Sequence, residues 1–146
     1  MSALGLRESI RSAALAAGFA RAGFARATLA PADEVATRAA LRAWLAAGHA
    51  DEMAYLRAKA DERARPQRLL EGARTVITVL LGHGAAAPPA GPGVGLVARY
   101  ARGADYHVVL HRRLRGLAQT LPRLAGRPVR WRIVVDTAPL LERAVA

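Results

Sequence analysis

An α/β or α+β layered sandwich, a mixed sheet flanked by helices within a single domain over residues 1–146, is the fold the sequence predicts. Three observations predict it. Leu110, Leu114, Leu117 and Leu121 recur at helical spacing, which gives one apolar edge of a long helix. TVITVLL (Thr75–Leu81) is an apolar run without polar alternation, the pattern of a strand covered on both faces. VRWRIVVD (Val129–Asp136) alternates apolar residues with Arg and then turns wholly apolar, as a strand does when it enters from solvent and ends buried. Helices interleaved with strands in this way build layered folds.

Taken in order, residues 6–17 place Leu6, Ile10, Ala13 and Ala14 on one helical face, with Gly18 as the stop. GFARAGFARA repeats a five-residue unit twice over residues 18–27, too short a period for a solenoid, and predicts a short strand near Phe19–Ala25 bent at Gly23. Pro31 and Asp33 open a helix whose buried stripe includes Leu41, Trp44 and Leu45, and Gly48 ends it. A shorter helix follows over Glu52–Ala60, with Met53 and Leu56 inward. After the strand at Thr75 comes GHGAAAPPAGPG (Gly82–Gly93), a loop. GLVARY (Gly95–Tyr100) reads as a further strand, and the leucine-edged helix runs over Ala104–Leu121.

Composition narrows the function. A chain of about 150 residues buries roughly 70% of its unfolded surface, enough for one core. Ala fills 35 of the 146 positions, so bulk must come from Leu, Val and a few aromatics. The absence of Cys excludes disulfides, thiolate zinc and any iron–sulfur cluster held by these residues alone. Ser occurs only at positions 2, 9 and 12, which leaves no serine hydrolase triad. No run of about 18 uncharged apolar residues is present, so no membrane span and no membrane partner are expected. Glu8 interrupts the N-terminal segment, against a secretory signal, while the Ala/Arg-rich start leaves a transit peptide open; a cytoplasmic monomer is expected. The 22 basic groups are 21 Arg and Lys59, against 11 acidic. Residues 74–146 hold 11 basic and 3 acidic groups. Such a half attracts polyanions, and a base-rich genome that favours Arg codons accounts for it equally well.

Asp136 is the first candidate for chemistry. A lone carboxylate at the end of an apolar strand can donate a proton when burial favours its neutral form, and it can equally cap a following helix near Pro139. ARYARGADYH (Ala98–His107) gathers Arg99, Tyr100, Arg102, Asp105, Tyr106 and His107 around Gly103 ahead of a helix. Backbone amides and Arg there could hold an anionic group; a strand–turn–helix with Asp105 as N-cap fits the same residues. His107 and His111 stand four apart, but no H-E-x-x-H surrounds them and no metal site is expected. The loop at Gly82–Gly93 lacks the Gly-Lys-Ser/Thr ending of a phosphate loop, and no G-x-G-x-x-G joins a strand to a helix.

AGF and AG (Ala17–Phe19, Ala22–Gly23), LRAWLAAGH and EMAYL (Leu41–His49, Glu52–Leu56), RARPQRLLEGARTVITVLL (Arg63–Leu81), ARYARGADYHVVLHRRL (Ala98–Leu114) and VDTAPLLERAVA (Val135–Ala146) together resemble, in this order, the N-terminal half of the tRNA epoxyqueuosine reductases. The resemblance implies a cobalamin-dependent oxidoreductase with two [4Fe–4S] clusters that removes the epoxide oxygen of epoxyqueuosine at the wobble position of tRNA, the last step of queuosine biosynthesis. It implies that Asp136 is the proton donor at the cobalamin, and that Arg63 and the backbone of Ala98 touch the corrinoid. Arg99, Tyr100, Asp105, Tyr106 and His107 would line the same pocket, and Arg143 would face the substrate or its tRNA. The family pattern has Gly where this chain has Asp51, and a polar residue and Tyr where Gly82 and His83 follow the strand. It also continues beyond the position of Ala146 into a cysteine-rich cluster domain, so the chain is expected to be a fragment that is inactive by itself. A non-catalytic basic RNA-binding module and a corrinoid reductase for a non-RNA substrate are the alternatives.

Overall fold

The computed structural model describes residues 2–82, 91–93, 95–136 and 138–145, and for Arg143 and Val145 the backbone alone. The element order is α1 (Ala3–Ala16), β1 (Arg21–Arg26), α2 (Pro31–Ala46), α3 (Ala54–Ala58), β2 (Thr75–Leu80), α4 (Tyr106–Ala125) and α5 (Glu142–Val145), with 3₁₀ turns at Pro66–Arg68 and Arg99–Ala101. This is an α+β arrangement. Its strands form a two-stranded sheet, antiparallel by its flanking bonds: the Ala20 N–H donates to the Leu80 carbonyl at 2.7 Å and the Ala27 N–H to the Arg74 carbonyl at 3.1 Å. Among the described residues, no helix is long and apolar enough to cross a membrane.

Two compact units divide the chain, one of Met1–Ala22 with Val79–Val129 and one of Gly23–Thr78 with Arg130–Ala146. In the first, α1 packs against α4. The Ser2 hydroxyl opens α1 by accepting from the Gly5 N–H at 3.1 Å. Its other end closes as the sequence predicts, with Gly18 left-handed at φ 84°. The Gly18 N–H donates to the Leu15 carbonyl and the Phe19 N–H to the Ala14 carbonyl, a paired closure that only a residue tolerant of positive φ permits. That closure sends Phe19 inward. Ala14, Phe19 and Leu117 form the buried cluster, with Leu110 and Leu114 packed on it, so the leucine edge of α4 faces the core as its spacing requires. α4 runs past the expected end at Leu121: it carries Pro122 internally and stops at Gly126, left-handed at φ 64°.

The second unit is held by charge as much as by apolar contact. Pro31 stands at the start of α2, with Asp33 and Glu34 in its first turn, where acidic groups suit the helix dipole. Glu34 accepts from Arg65 Nε at 2.6 Å, and Asp61 accepts from Arg38 at 3.1 Å and Arg42 at 2.7 Å. Those two guanidinium bonds hold the Asp61 carboxyl below its ordinary value. Residues 61 and 65 are therefore both clamped to α2, and Arg63 between them turns inward. Trp44 and Trp131, both in this unit, are 39% and 40% exposed.

Four expectations fail in detail. Gly95–Ala98 is irregular and Arg99–Ala101 is a 3₁₀ turn, not a strand. Nor is Val129–Asp136 a regular strand. β2 is half-buried along its middle and exposed at both ends, because it has one neighbouring strand rather than two among the described residues. Trp44 and Met53, expected inward, are both partly exposed, and the Trp44 ring instead lies 5.8 Å from that of His49. Of the Gly82–Gly93 loop, residues 83–90 lie outside the described residues.

Candidate functional site

The predicted residues fall into two groups, one in each unit. In the first unit the polar cluster is built by the turn that starts α4. Ala98 uses its carbonyl to accept the Ala101 N–H at 3.0 Å, closing the 3₁₀ turn that carries Arg99 and Tyr100. Arg102 Nε donates to the Val97 carbonyl at 2.6 Å. Asp105 is the N-cap of α4: one carboxylate oxygen accepts the His107 N–H at 2.9 Å and lies 2.9 Å from His107 Nδ1. The Tyr106 ring stacks on His107 with centroids 4.0 Å apart and meets Tyr100 edge-on at 5.6 Å. Tyr106 and His107 are half-buried, while Tyr100 is 51% exposed.

A cleft of about 160 Å³ lies here, walled by Leu81, Arg99, Tyr100, Gly103, Tyr106 and Val109 among others. Small-molecule pockets span roughly 300–1,000 Å³, so this cleft accepts a single ring-sized or amide-sized group and not a whole macrocycle. Asp105 and His107 stand at the turn beside Tyr106. His111, one turn along α4, is also half-buried. Among the described residues no three of His, Cys, Asp or Glu gather to hold a metal ion.

Asp105 ties this site to the stability of its helix. The His107 N–H first, and the His107 ring second, hold its carboxyl below the ordinary 3.8. A carboxyl lower in the folded state than in the unfolded chain stabilises fully above the unfolded value and loses that contribution as pH falls through the folded one. Thermal melts followed by helical circular dichroism are therefore expected to show Asp105→Ala less stable than the parent at neutral pH, with the gap closing in strong acid. A gap that stays constant down to that range means the carboxylate does not cap α4.

In the second unit, Arg63 is 8% exposed. It donates from Nη2 to the Tyr55 carbonyl at 3.3 Å, and its guanidinium carbon lies 5.9 Å from the Tyr55 ring centroid. Its Nε is buried and makes no hydrogen bond among the described residues. Its own carbonyl accepts the Leu141 N–H at 2.8 Å, which joins the Arg63 segment to the turn that follows Asp136. There Val135 is buried and Asp136 is exposed, so the desolvated carboxylate suggested by the apolar run is not found. Asp136 is left-handed at φ 49°, and its N–H donates to Glu142 Oε1 at 3.3 Å. α5 begins at Glu142, six residues on, so Asp136 caps no helix. Thr137 and the Arg143 side chain lie outside the described residues.

Two residues that sequence reasoning passed over take part here. Tyr55 supplies both the carbonyl and the ring around Arg63, and nothing in EMAYL announces that. Glu142 stood in the sequence only as a neighbour of Arg143; an acid six residues after Asp136 was its one available signal.

A family model described as "Epoxyqueuosine reductase QueG, DUF1730" matches residues 63–137, a range that includes Arg63, the tyrosine turn and Asp136. The chain is 38% identical over 144 residues to the epoxyqueuosine reductase of Synechococcus sp. (strain RCC307), covering 97% of this chain and 43% of that protein. It is 42% identical over 141 residues to that of Gloeobacter violaceus, covering 94% of this chain and 41% of that protein. With the protein of the same name from Salmonella typhimurium (strain LT2) it shares 35% over 146 residues, which is 97% of this chain and 36% of that one. No solved structure matches. The chain thus spans between 36% and 43% of the length of these relatives. As the family model covers just over half of the residues, from Arg63 to the position after Asp136, the chain belongs to the epoxyqueuosine reductase family.

Proposed function

We propose that the chain is the cobalamin- and substrate-holding part of a tRNA epoxyqueuosine reductase, an oxidoreductase that removes the epoxide oxygen of epoxyqueuosine in tRNA. The observation that carries this reading is the family match over residues 63–137, a span that takes in Arg63 and Asp136, the two residues to which this proposal gives cofactor contact and proton donation. When bound, cobalamin supplies a cobalt centre that can deliver electrons to the epoxide. Arg63 fits such a ligand: a buried guanidinium with an idle Nε–H needs an acceptor, and the corrin rim is studded with amide oxygens. The 160 Å³ cleft at Tyr100 and Tyr106 fits one such peripheral group. Arg99 stands at its wall, and the Ala98 carbonyl, one lone pair already used, keeps a second to offer. Asp136 gives a proton to the oxygen released from the ring. A thiolate-bound cluster does not fit here, since these residues include no cysteine; its ligands belong to other residues, and no step is routed through it. A formal net charge of +11 suits a tRNA partner, and the cell compartment proposed is the cytoplasm.

The test is spectroscopic. Added hydroxocobalamin is expected to bind this chain weakly and saturably, with a shifted corrin absorption. Arg63→Met is expected to raise the Kd between about ten- and a hundredfold, the loss of one charge-assisted hydrogen bond, with an unchanged far-ultraviolet dichroism spectrum. An unshifted spectrum together with salt-sensitive RNA binding overturns the reading in favour of a non-catalytic RNA-binding module.

A further inference from the structure

Asp136 occupies a left-handed backbone conformation, uncommon outside glycine and tolerated by Asp better than by most residues. Its surroundings hold it there from both sides. Before it, Val135 is buried. After it, the Leu140 N–H donates to the Ala138 carbonyl at 2.8 Å and the Leu141 N–H to the Arg63 carbonyl at 2.8 Å, so the returning chain is tied to a buried residue whose neighbours Asp61 and Arg65 are clamped to α2. The next residue is Glu142, and its carboxylate closes the turn on the Asp136 N–H at 3.3 Å.

We propose that Glu142 is the positioning residue for Asp136. By accepting the Asp136 amide it fixes the peptide plane in the left-handed turn, and the plane fixes the direction in which the Asp136 carboxyl leaves the backbone. The reading of Asp136 as proton donor underlies this role. Glu142 itself touches no reacting atom. Its contribution is geometric, and an uncharged acceptor of the same length suffices. A carboxyl displaced by even an ångström from the oxygen it must protonate loses much of its effect.

Two variants separate this role from a structural one. Glu142→Gln keeps an oxygen where the bond needs it, and Glu142→Ala removes it. In this chain, amide hydrogen exchange at Asp136 is expected to speed up about tenfold in Glu142→Ala and to stay within about twofold of the parent in Glu142→Gln. In the full cobalamin-loaded reductase, Glu142→Ala is expected to lower kcat between about ten- and a hundredfold with KM unchanged, and Glu142→Gln to restore it. Unchanged exchange in Glu142→Ala overturns the hydrogen bond. Unchanged kcat in Glu142→Ala, in an assay where Asp136→Asn is inactive, overturns the positioning role alone. If Asp136→Asn keeps its turnover, the donor reading falls and the positioning role with it, a failure told apart from the first by the activity of the Asp136→Asn variant itself.

Discussion

Asp136→Asn in the full reductase is expected to lower turnover of epoxyqueuosine by roughly 10²–10⁴-fold, the usual contribution of a positioned general acid, while corrin absorption still reports bound cobalamin. The asparagine keeps the size of the side chain and the backbone N–H that Glu142 accepts, and it tolerates a left-handed backbone as well as Asp does. What it removes is the transferable proton. Turnover assays under saturating substrate, run beside a cobalamin absorption titration, separate this effect from loss of the cofactor. Undiminished deoxygenation by the Asn variant would remove Asp136 from the mechanism.

The largest expected loss of stability comes from Phe19→Ala. Phe19 is 3% exposed and shares its buried cluster with Ala14 and Leu117. Ala13, Ala17 and Ala22 also pack there, and a methyl group cannot reach into a void the size of a benzyl group. The cavity therefore stays open, which puts the cost near the upper part of the about 3–5 kcal/mol typical of Phe-to-Ala changes in cores. Small domains have only about 5–15 kcal/mol to lose. Urea unfolding followed by far-ultraviolet dichroism measures this, and a loss under about 1 kcal/mol contradicts the placement of Phe19 at the centre of that core. Because the same cluster carries Leu110 and Leu114 of α4, the damage is also expected to loosen the turn bearing Tyr106 and His107.

Local signals were the ones the sequence stated plainly. Gly18 ended α1 because a glycine after a helical stripe has one common use, and the strand expected near Phe19–Ala25 is found at Arg21–Arg26, since the start of the first GFARA copy closes the helix. Asp105 capped α4 for an equally local reason. Pairing was less legible. GLVARY and VRWRIVVD carry strand composition, yet whether a segment becomes a regular strand is set by distant segments that composition does not name. The site divides in the same way. The cluster at Arg99–His107 is contiguous in sequence and was visible as such. The environment of Arg63 comes from Tyr55 and Leu141, and that of Asp136 from Glu142, contacts made only once the chain has turned back. The family resemblance named Arg63 and Asp136 without revealing that one is buried and the other exposed.

Both indoles, Trp44 and Trp131, belong to the second unit, and the first contains none. Intrinsic fluorescence excited at the red edge of the protein band is consequently blind to half of the molecule, whereas circular dichroism draws on helices of both units. Recording the two signals along one heating ramp reveals whether the halves melt as one cooperative body or in succession, with no label and no engineered reporter.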